Sequence, residues 1–210
     1  KLKTLHHVLP AMPSPLERYQ QDQTRADFVV DASQAMAIDA FQKVYTQLLA
    51  TPPKFGYQKR KQAWTRSQGL YLWGGVGRGK TYLMDCFYES IPFSKKRRTH
   101  FHRFMQEVHE RLKGYSNTQD PLKHIAYDLS RDVRVLCFDE FFVSDIGDAM
   151  LLGRLLECLF ACGVTLIATS NIAPERLYEN GLQRQRFLST IKQLQQHCDI
   201  LNVDGGVDYR

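Results

Sequence analysis

An α/β fold, with a mainly parallel five-stranded sheet between two helical layers and a helical arm before it, is what this sequence predicts. Three observations carry that reading. Apolar runs without polar alternation, such as "LYLW", "VLCF" and "TLIA", recur along the chain, as strands buried on both faces do. Segments with apolar residues at helical spacing stand between them, so the strands are joined by helical crossovers rather than hairpins. A glycine-rich turn, "GGVGRGKT" at 74–81, follows the first run and opens one of the helical segments. At 210 residues and 43% hydrophobic content, the chain suits one substantial core.

The elements follow in order. Prolines from Met12 to Pro15 predict an extended arm, and "DASQ" at 31–34 reads as a capping box. It opens a helix with Ile38, Phe41, Val44, Tyr45 and Leu48 on one face, stopped by Pro52-Pro53. Residues 1–53 are thus arm and helix, and 54–68, "KFGYQKRKQAWTRSQ", form a basic, solvated loop. Residues 69–210 are the α/β core. There Leu70 to Trp73 reads as a strand, Lys80 to Ser90 as a helix closed by Pro92, and Thr99 to Phe104 as a strand, with Met105, Val108 and Leu112 continuing as a helix. A turn at "GYSNTQ" leads to a helix from Pro121 with Leu122, Ile125, Ala126 and Leu129 inward. "VRVLCFDE" at 133–140 is a strand ending in two acids, Asp145 to Cys162 a helix ended by Gly163, and "VTLIATSN" another strand. A helix carrying Phe187, Leu188, Ile191 and Leu194 and a last strand over Asp199 to Val203 complete the core.

The formal charge of +6 admits an anionic partner, for which a phosphate ligand suffices; nucleic acid is possible but not favoured. Five scattered cysteines without paired CxxC spacing suggest free thiols in a reducing compartment. The longest apolar stretch, 151–168, is broken by Arg154, Glu157 and Gly163, which excludes a membrane span. The start "KLKTLHHVLPAMPSP" has no signal-peptide core and reads as a trimmed end. His100 and His102, on one face of the expected strand, are too few to ligate zinc.

The chemistry concentrates at strand ends. "GGVGRGKT" fits G-x-x-x-x-G-K-[ST], in which backbone amides curl around phosphate oxygens and a helix N-terminus adds positive potential. The binding candidates are therefore Gly74, Gly75, Val76, Gly77, Arg78, Gly79, Lys80 and Thr81, continued by Tyr82. Lys80 reaches the β and γ phosphates, and the Thr81 hydroxyl ligates magnesium. Asp139, at the end of its strand, completes the magnesium shell, and Glu140 orients and deprotonates an attacking water. Asn171 bonds the γ phosphate or that water. Arg184 and Arg186, near the start of the last helix, are candidates for an arginine placed at a neighbouring subunit's γ phosphate; ordinary surface arginines are the alternative. His102 or Arg103 is a candidate contact that holds Glu140 inactive.

In this order the motifs resemble those of AAA+ ATPases. More narrowly, "LYLWGGVGRGKTYLMD", "HFHRFMQEVHERL", "VLCFDEFFVSDIGDAMLL", "LIATSN" and "NGLQRQRFL" resemble the AFG-one-like ATPase family, from about Tyr19 to Arg210. The resemblance implies ATP and Mg2+ as cofactors, Gly74 to Thr81 as Walker A, Asp139 and Glu140 as Walker B, and Asn171 as the first sensor. It also implies Arg184 or Arg186 as the finger, of which Arg186 is favoured here, and Tyr19 in "PSPLERY" as a neighbour of the base. By the same resemblance the protein is a bacterial cytoplasmic homo-oligomer, recruited to the inner membrane face, that regulates the division-ring protein FtsZ. The family's helical lid would lie beyond these residues. Two other functions fit the motifs: a helicase-loader-like ATPase using Lys59 to Lys61 and Lys95 to Arg98 on nucleic acid, and a nucleotide-sensing module without turnover.

Overall fold

Helix formation begins one residue after Ser14, and the reason is local. In the computed structural model, which describes residues 12–25, 32–51, 64–115 and 117–204, the Ser14 hydroxyl accepts from the Glu17 amide and the Glu17 carboxylate accepts from the Ser14 amide. This capping box, with Pro15 at the first helical position, starts α1 (Pro15–Gln23). The arm expected over Met12 to Pro15 therefore ends at Ser14, because prolines that lead into a helix look the same in sequence as prolines of an extended segment. Helix α2 (Ala32–Ala50) buries Ala37, Ile38, Phe41, Val44, Tyr45 and Leu48, the face its periodicity predicts. Its expected cap residue, Asp31, lies outside the described residues, as does 54–63 of the basic loop.

Five strands form one parallel sheet: β1 (Gly69–Trp73), β2 (Lys96–His100), β3 (Val135–Asp139), β4 (Thr165–Ser170) and β5 (Cys198–Asn202), in the order β2-β3-β4-β1-β5. The intervening helices are α3 (Lys80–Ser90), α4 (Phe101–Lys113), α5 (Pro121–Asp132), α6 (Ile146–Ala161) and α7 (Arg184–His197). Alternate strand residues feed two cores. Leu70, Leu72, Val135 and Cys137 pack with Tyr19, Phe41, Leu48, Leu83 and Phe87 of α1, α2 and α3. On the other face, Tyr71, Leu136 and Phe138 pack with Phe101, Phe104, Leu152 and Phe187 of α4, α6 and α7. Three layers result. No helix among the described residues is long and apolar enough to cross a membrane.

The strand expected over Thr99 to Phe104 lies instead over Lys96 to His100. β2 pairs only with β3, and the ladder stops at His100 opposite Asp139, where β3 itself ends. From there Phe101, Phe104, Met105 and Val108, at i, i+3, i+4 and i+7, are drawn to the core as one helical face. His102 and Arg103 consequently lie on the exposed side of α4 and not on a strand.

Arg134 ties α2 to the sheet. The residue is 5% exposed, and its guanidinium donates to the Leu48 carbonyl at 2.7 Å, to the Thr51 carbonyl and to the Thr51 hydroxyl at 3.2 Å. These are carbonyls that the end of a helix leaves without intrahelical donors. The same cation lies 5.8 Å from the Trp64 ring and 5.0 Å from the Phe93 ring. Trp64 is itself fixed, donating its amide to the Cys162 carbonyl at 2.9 Å and its indole N–H to the Ser130 carbonyl at 2.8 Å. Arg134→Ala strips donors from buried carbonyls, so we expect a loss of about 3 kcal/mol. Urea unfolding should show this as a lower midpoint with unchanged slope.

Candidate nucleotide-binding site

Between β1 and α3 the backbone takes conformations that only glycine adopts freely. Gly77 and Gly79 have φ of 82° and 75°. A Cβ at Gly77 would meet nothing within 4 Å, so φ alone demands glycine there; at Gly79 it would also sit 2.6 Å from Gln34 Nε2. Neighbouring elements brace the loop. The Gly74 amide donates to the Ser170 carbonyl at 3.2 Å, the Gly75 amide to Asp204 Oδ1 at 2.6 Å, and Gln34 to the Arg78 carbonyl at 3.5 Å. Arg78 Nε lies 3.4 Å from the same Asp204 oxygen.

Lys80 opens α3. It is 9% exposed, and its ammonium donates to the Gly74 carbonyl at 2.6 Å and the Gly75 carbonyl at 2.7 Å. Burial pulls its pKa below the usual lysine value, an effect that nearby Asp204 opposes and Arg78 reinforces. No side chain caps the N-terminus of α3, so its first amides are available to an anion. Gly75 to Arg78 and Thr81 are exposed. An uncapped helix start, a cationic side chain and an exposed glycine loop fit a polyphosphate. The Thr81 hydroxyl and the Asp139 carboxylate are hard oxygen donors of the kind that magnesium takes.

Sheet order sets the rest. β4 lies between β1 and β3, so Asn171, exposed just past β4, stands between the loop and the Asp139–Glu140 pair along the carboxyl edge. The strand ends are stitched together: the Phe141 amide donates to the Thr169 carbonyl at 2.7 Å, the Ser170 hydroxyl to the Phe141 carbonyl at 2.7 Å, and the Glu140 amide to the Thr169 hydroxyl at 3.4 Å. Glu140 is exposed and has φ of 53°, an uncommon conformation outside glycine. Such residues cluster at functional sites.

Other candidates are placed differently. Arg184 donates to the Glu175 carbonyl at 2.5 Å and Arg186 to Gln183 Oε1 at 3.0 Å, so both bond locally around the start of α7. Tyr19 is 2% exposed in the α1–α2–α3 core, its ring 6.4 Å from that of Tyr82. Tyr82 turns its hydroxyl to Asp22 at 2.7 Å. Both rings thus help seat α1 against α3. His102 and Arg103 have no hydrogen bond to Glu140 among the described residues.

Two charged residues escaped the sequence reading. Arg98 donates to both oxygens of Asp139, at 2.7 and 3.1 Å, and also to Asp85 of α3; in sequence it belongs to the run Lys95 to Arg98, whose expected role is contact with nucleic acid. The whole run is committed inward: Lys95 to the Arg131 carbonyl, Lys96 to the carbonyls of Tyr88 and Ile91, Arg97 to Glu107. Asp204 was passed over because nothing local to "NVDGG" relates it to a loop so far back in the chain.

A parallel sheet in this order, with a glycine-rich loop of the G-x-x-x-x-G-K-[ST] pattern after β1 and an acid pair after β3, is the fold of a P-loop NTPase core of the AAA+ type. Solved structures of low identity share that fold. AMPPCP-bound DnaA from Aquifex aeolicus matches 93% of this chain and 51% of its own, at a TM-score of 0.58 and 14% identity. DnaI matches 83% of this chain and 87% of its own, at 0.57 and 17%. The chain belongs to the AFG1-like ATPase family, whose model matches residues 13–210. It is 49% identical to the cell division protein ZapE of Escherichia coli K12, over 94% of this chain and 56% of that protein; the chain thus spans little more than half of that relative.

Asp204→Asn keeps an acceptor for the Gly75 amide but removes a negative charge beside the loop. Calorimetry should show ADP binding tightened by about fivefold.

Proposed function

We propose that this chain is the nucleotide-binding core of a magnesium-dependent ATPase that couples ATP binding and hydrolysis to remodelling of a protein partner. The observation that carries the reading is the meeting of the glycine loop with Lys80, the Asp139–Glu140 pair and Asn171 along one edge of the sheet, where ligands of open parallel sheets bind. The loop amides and Lys80 hold the β and γ phosphates and stabilise the charge that develops on transfer. Thr81 and Asp139 would hold the magnesium shell, where the ion would supply charge neutralisation to the phosphates. Glu140 takes the proton from the attacking water, and Asn171 orients that water or the γ phosphate.

The partner we propose is the division ring built by FtsZ, on the strength of the 49% identity to a cell division protein. Action on it would place the protein in the bacterial cytoplasm, at the division site. We further propose a homo-oligomer in which Arg186 serves the neighbouring site. Arg186 is exposed at the start of α7, where its guanidinium bonds only to Gln183 among the described residues, whereas Arg184 is half-buried and engaged with the Glu175 carbonyl. Nucleic-acid loading is the weaker alternative, since the cations from Lys95 to Arg98 are occupied within the chain and Lys59 to Lys61 lie outside the described residues.

Glu140→Gln should leave ATP binding within about twofold while turnover falls on the order of 10²–10⁴-fold; unchanged turnover would remove Glu140 from catalysis. Arg186→Ala should leave ADP affinity unaltered and lower turnover of the assembled protein by about 10³-fold. Steady-state phosphate release at several protein concentrations checks this, because a finger acting in trans is lost on dilution.

A further inference from the structure

The Asp139 carboxylate is not free to face a metal alone. Arg98, on the neighbouring strand, takes both its oxygens in a forked contact, Nε to Oδ2 at 2.7 Å and Nη2 to Oδ1 at 3.1 Å. The third guanidinium nitrogen donates to Asp85. Register explains why they meet. Arg98 pairs with Cys137 and His100 with Asp139, so Arg98 and Asp139 lie on the same face of the sheet, diagonal across two strands. Asp85 belongs to the helix that Lys80 and Thr81 begin. The network therefore ties the strand end that bears Asp139 to the helix that carries the phosphate loop.

The side chains of Arg98 and Asp139 are only 19% and 14% exposed, whereas that of Asp85 is 47% exposed. Charges so placed are screened weakly by salt, and each is felt by its neighbours. Burial by itself would lower the Arg98 pKa, but the bonds and charges of Asp139 and Asp85 raise it well past the ordinary arginine value, so the guanidinium remains charged. Each carboxylate oxygen bonded once by Arg98 keeps a second acceptor position, enough to hold a metal-bound water. Direct ligation of a divalent cation would set two positive groups against one carboxylate.

We infer that Arg98 is a positioning residue of the metal subsite: it fixes the Asp139 carboxylate and, as a resident counter-charge that Asp85 partly cancels, sets how strongly that subsite attracts a divalent cation. The inference rests on the proposed reading that Asp139 serves magnesium. It makes opposite predictions for the two partners of one network. Removing the cation deepens the negative potential at Asp139; removing Asp85 leaves Arg98 with Asp139 alone and makes that potential shallower. A purely structural tie between strand and helix would be damaged in the same sense by either change.

The measurement is ADP affinity by calorimetry with and without Mg2+, whose ratio reports the metal's contribution independently of turnover. In Arg98→Met the ratio should rise by roughly tenfold, and in Asp85→Asn it should fall by roughly threefold. A ratio unchanged in both, or lowered in both, overturns the inference. If Arg98→Met does not fold, Asp85→Asn decides alone, with a fall in support and an unchanged or higher ratio against. Asp139→Asn separates the two layers. If its ratio equals that of the unaltered protein, Asp139 does not serve the metal and the underlying reading falls with the inference. If its ratio falls while Arg98→Met and Asp85→Asn leave it unchanged, only the counter-charge role is lost.

Discussion

Parallel pairing of β1 with β4 on one side and β5 on the other is the constraint from which the rest of the molecule follows. Strands that run the same way end at the same edge. Residues that the chain order keeps far apart, the loop after Trp73, the acids after Phe138, Asn171 after Ser170 and Asp204 past Asn202, therefore emerge along one line. An antiparallel arrangement of the same five segments would send half of them to the opposite edge. The crossovers required to keep the strands parallel put α3 on one face, beside α1 and α2, and α4 to α7 on the other, burying both sides of the central strands β1, β3 and β4 and making those runs apolar.

Placing a glycine-rich turn at that edge carries a cost in backbone entropy, since glycine loses more freedom than any other residue on folding. The surrounding elements offset it with fixed partners: Ser170 from β4, Asp204 from the exit of β5 and Gln34 from α2 each hold a different peptide of the loop. The helix that follows is left uncapped, which in an ordinary surface helix would be a defect worth about 1 kcal/mol. Here the same unsatisfied amides are what an anion would bind. Local instability at 74–81 and binding capacity are one property, and the brace from three elements keeps it compatible with a single conformation.

What was legible in the sequence and what was not divide along the range of the interactions involved. The strands β1, β3 and β4, the helix from Lys80 and the loop itself are set by residues within a few positions of one another, and pattern reading placed them to within a residue or two. β2 lies three residues earlier at its start and four at its end than its pattern suggests, because its extent is decided by where its partner β3 stops, a fact absent from "KRRTHFHRF". α1 was missed because a proline at a helix start and a proline in an arm look alike until the Ser14–Glu17 exchange is seen. Arg98 lies 41 positions from Asp139, and Asp204 lies 129 from Gly75; composition around either reads only as charge. The choice between Arg184 and Arg186 as the proposed finger would depend on a second molecule, which no pattern within one chain encodes.

The cations of this site share one further feature. Lys80 is held by the carbonyls of Gly74 and Gly75, Arg78 by Asp204, and Arg98 by Asp139 and Asp85. Each of these three cations thus has an acceptor within the chain, so under the proposed function a polyanion would exchange partners with them rather than enter a field of idle charge. Such an exchange is a linkage: whatever strengthens the contact of Asp204 with the loop weakens the phosphate ligand, and the ligand weakens that contact in equal measure. Asp204 lies immediately beyond β5, and Asp85 lies one turn into α3. Under the proposed function, occupancy of the loop would be coupled, through partners already in place, to the exit of the last strand and to the helix that leads away from the loop. These two elements are the ones through which binding could be felt elsewhere in the molecule.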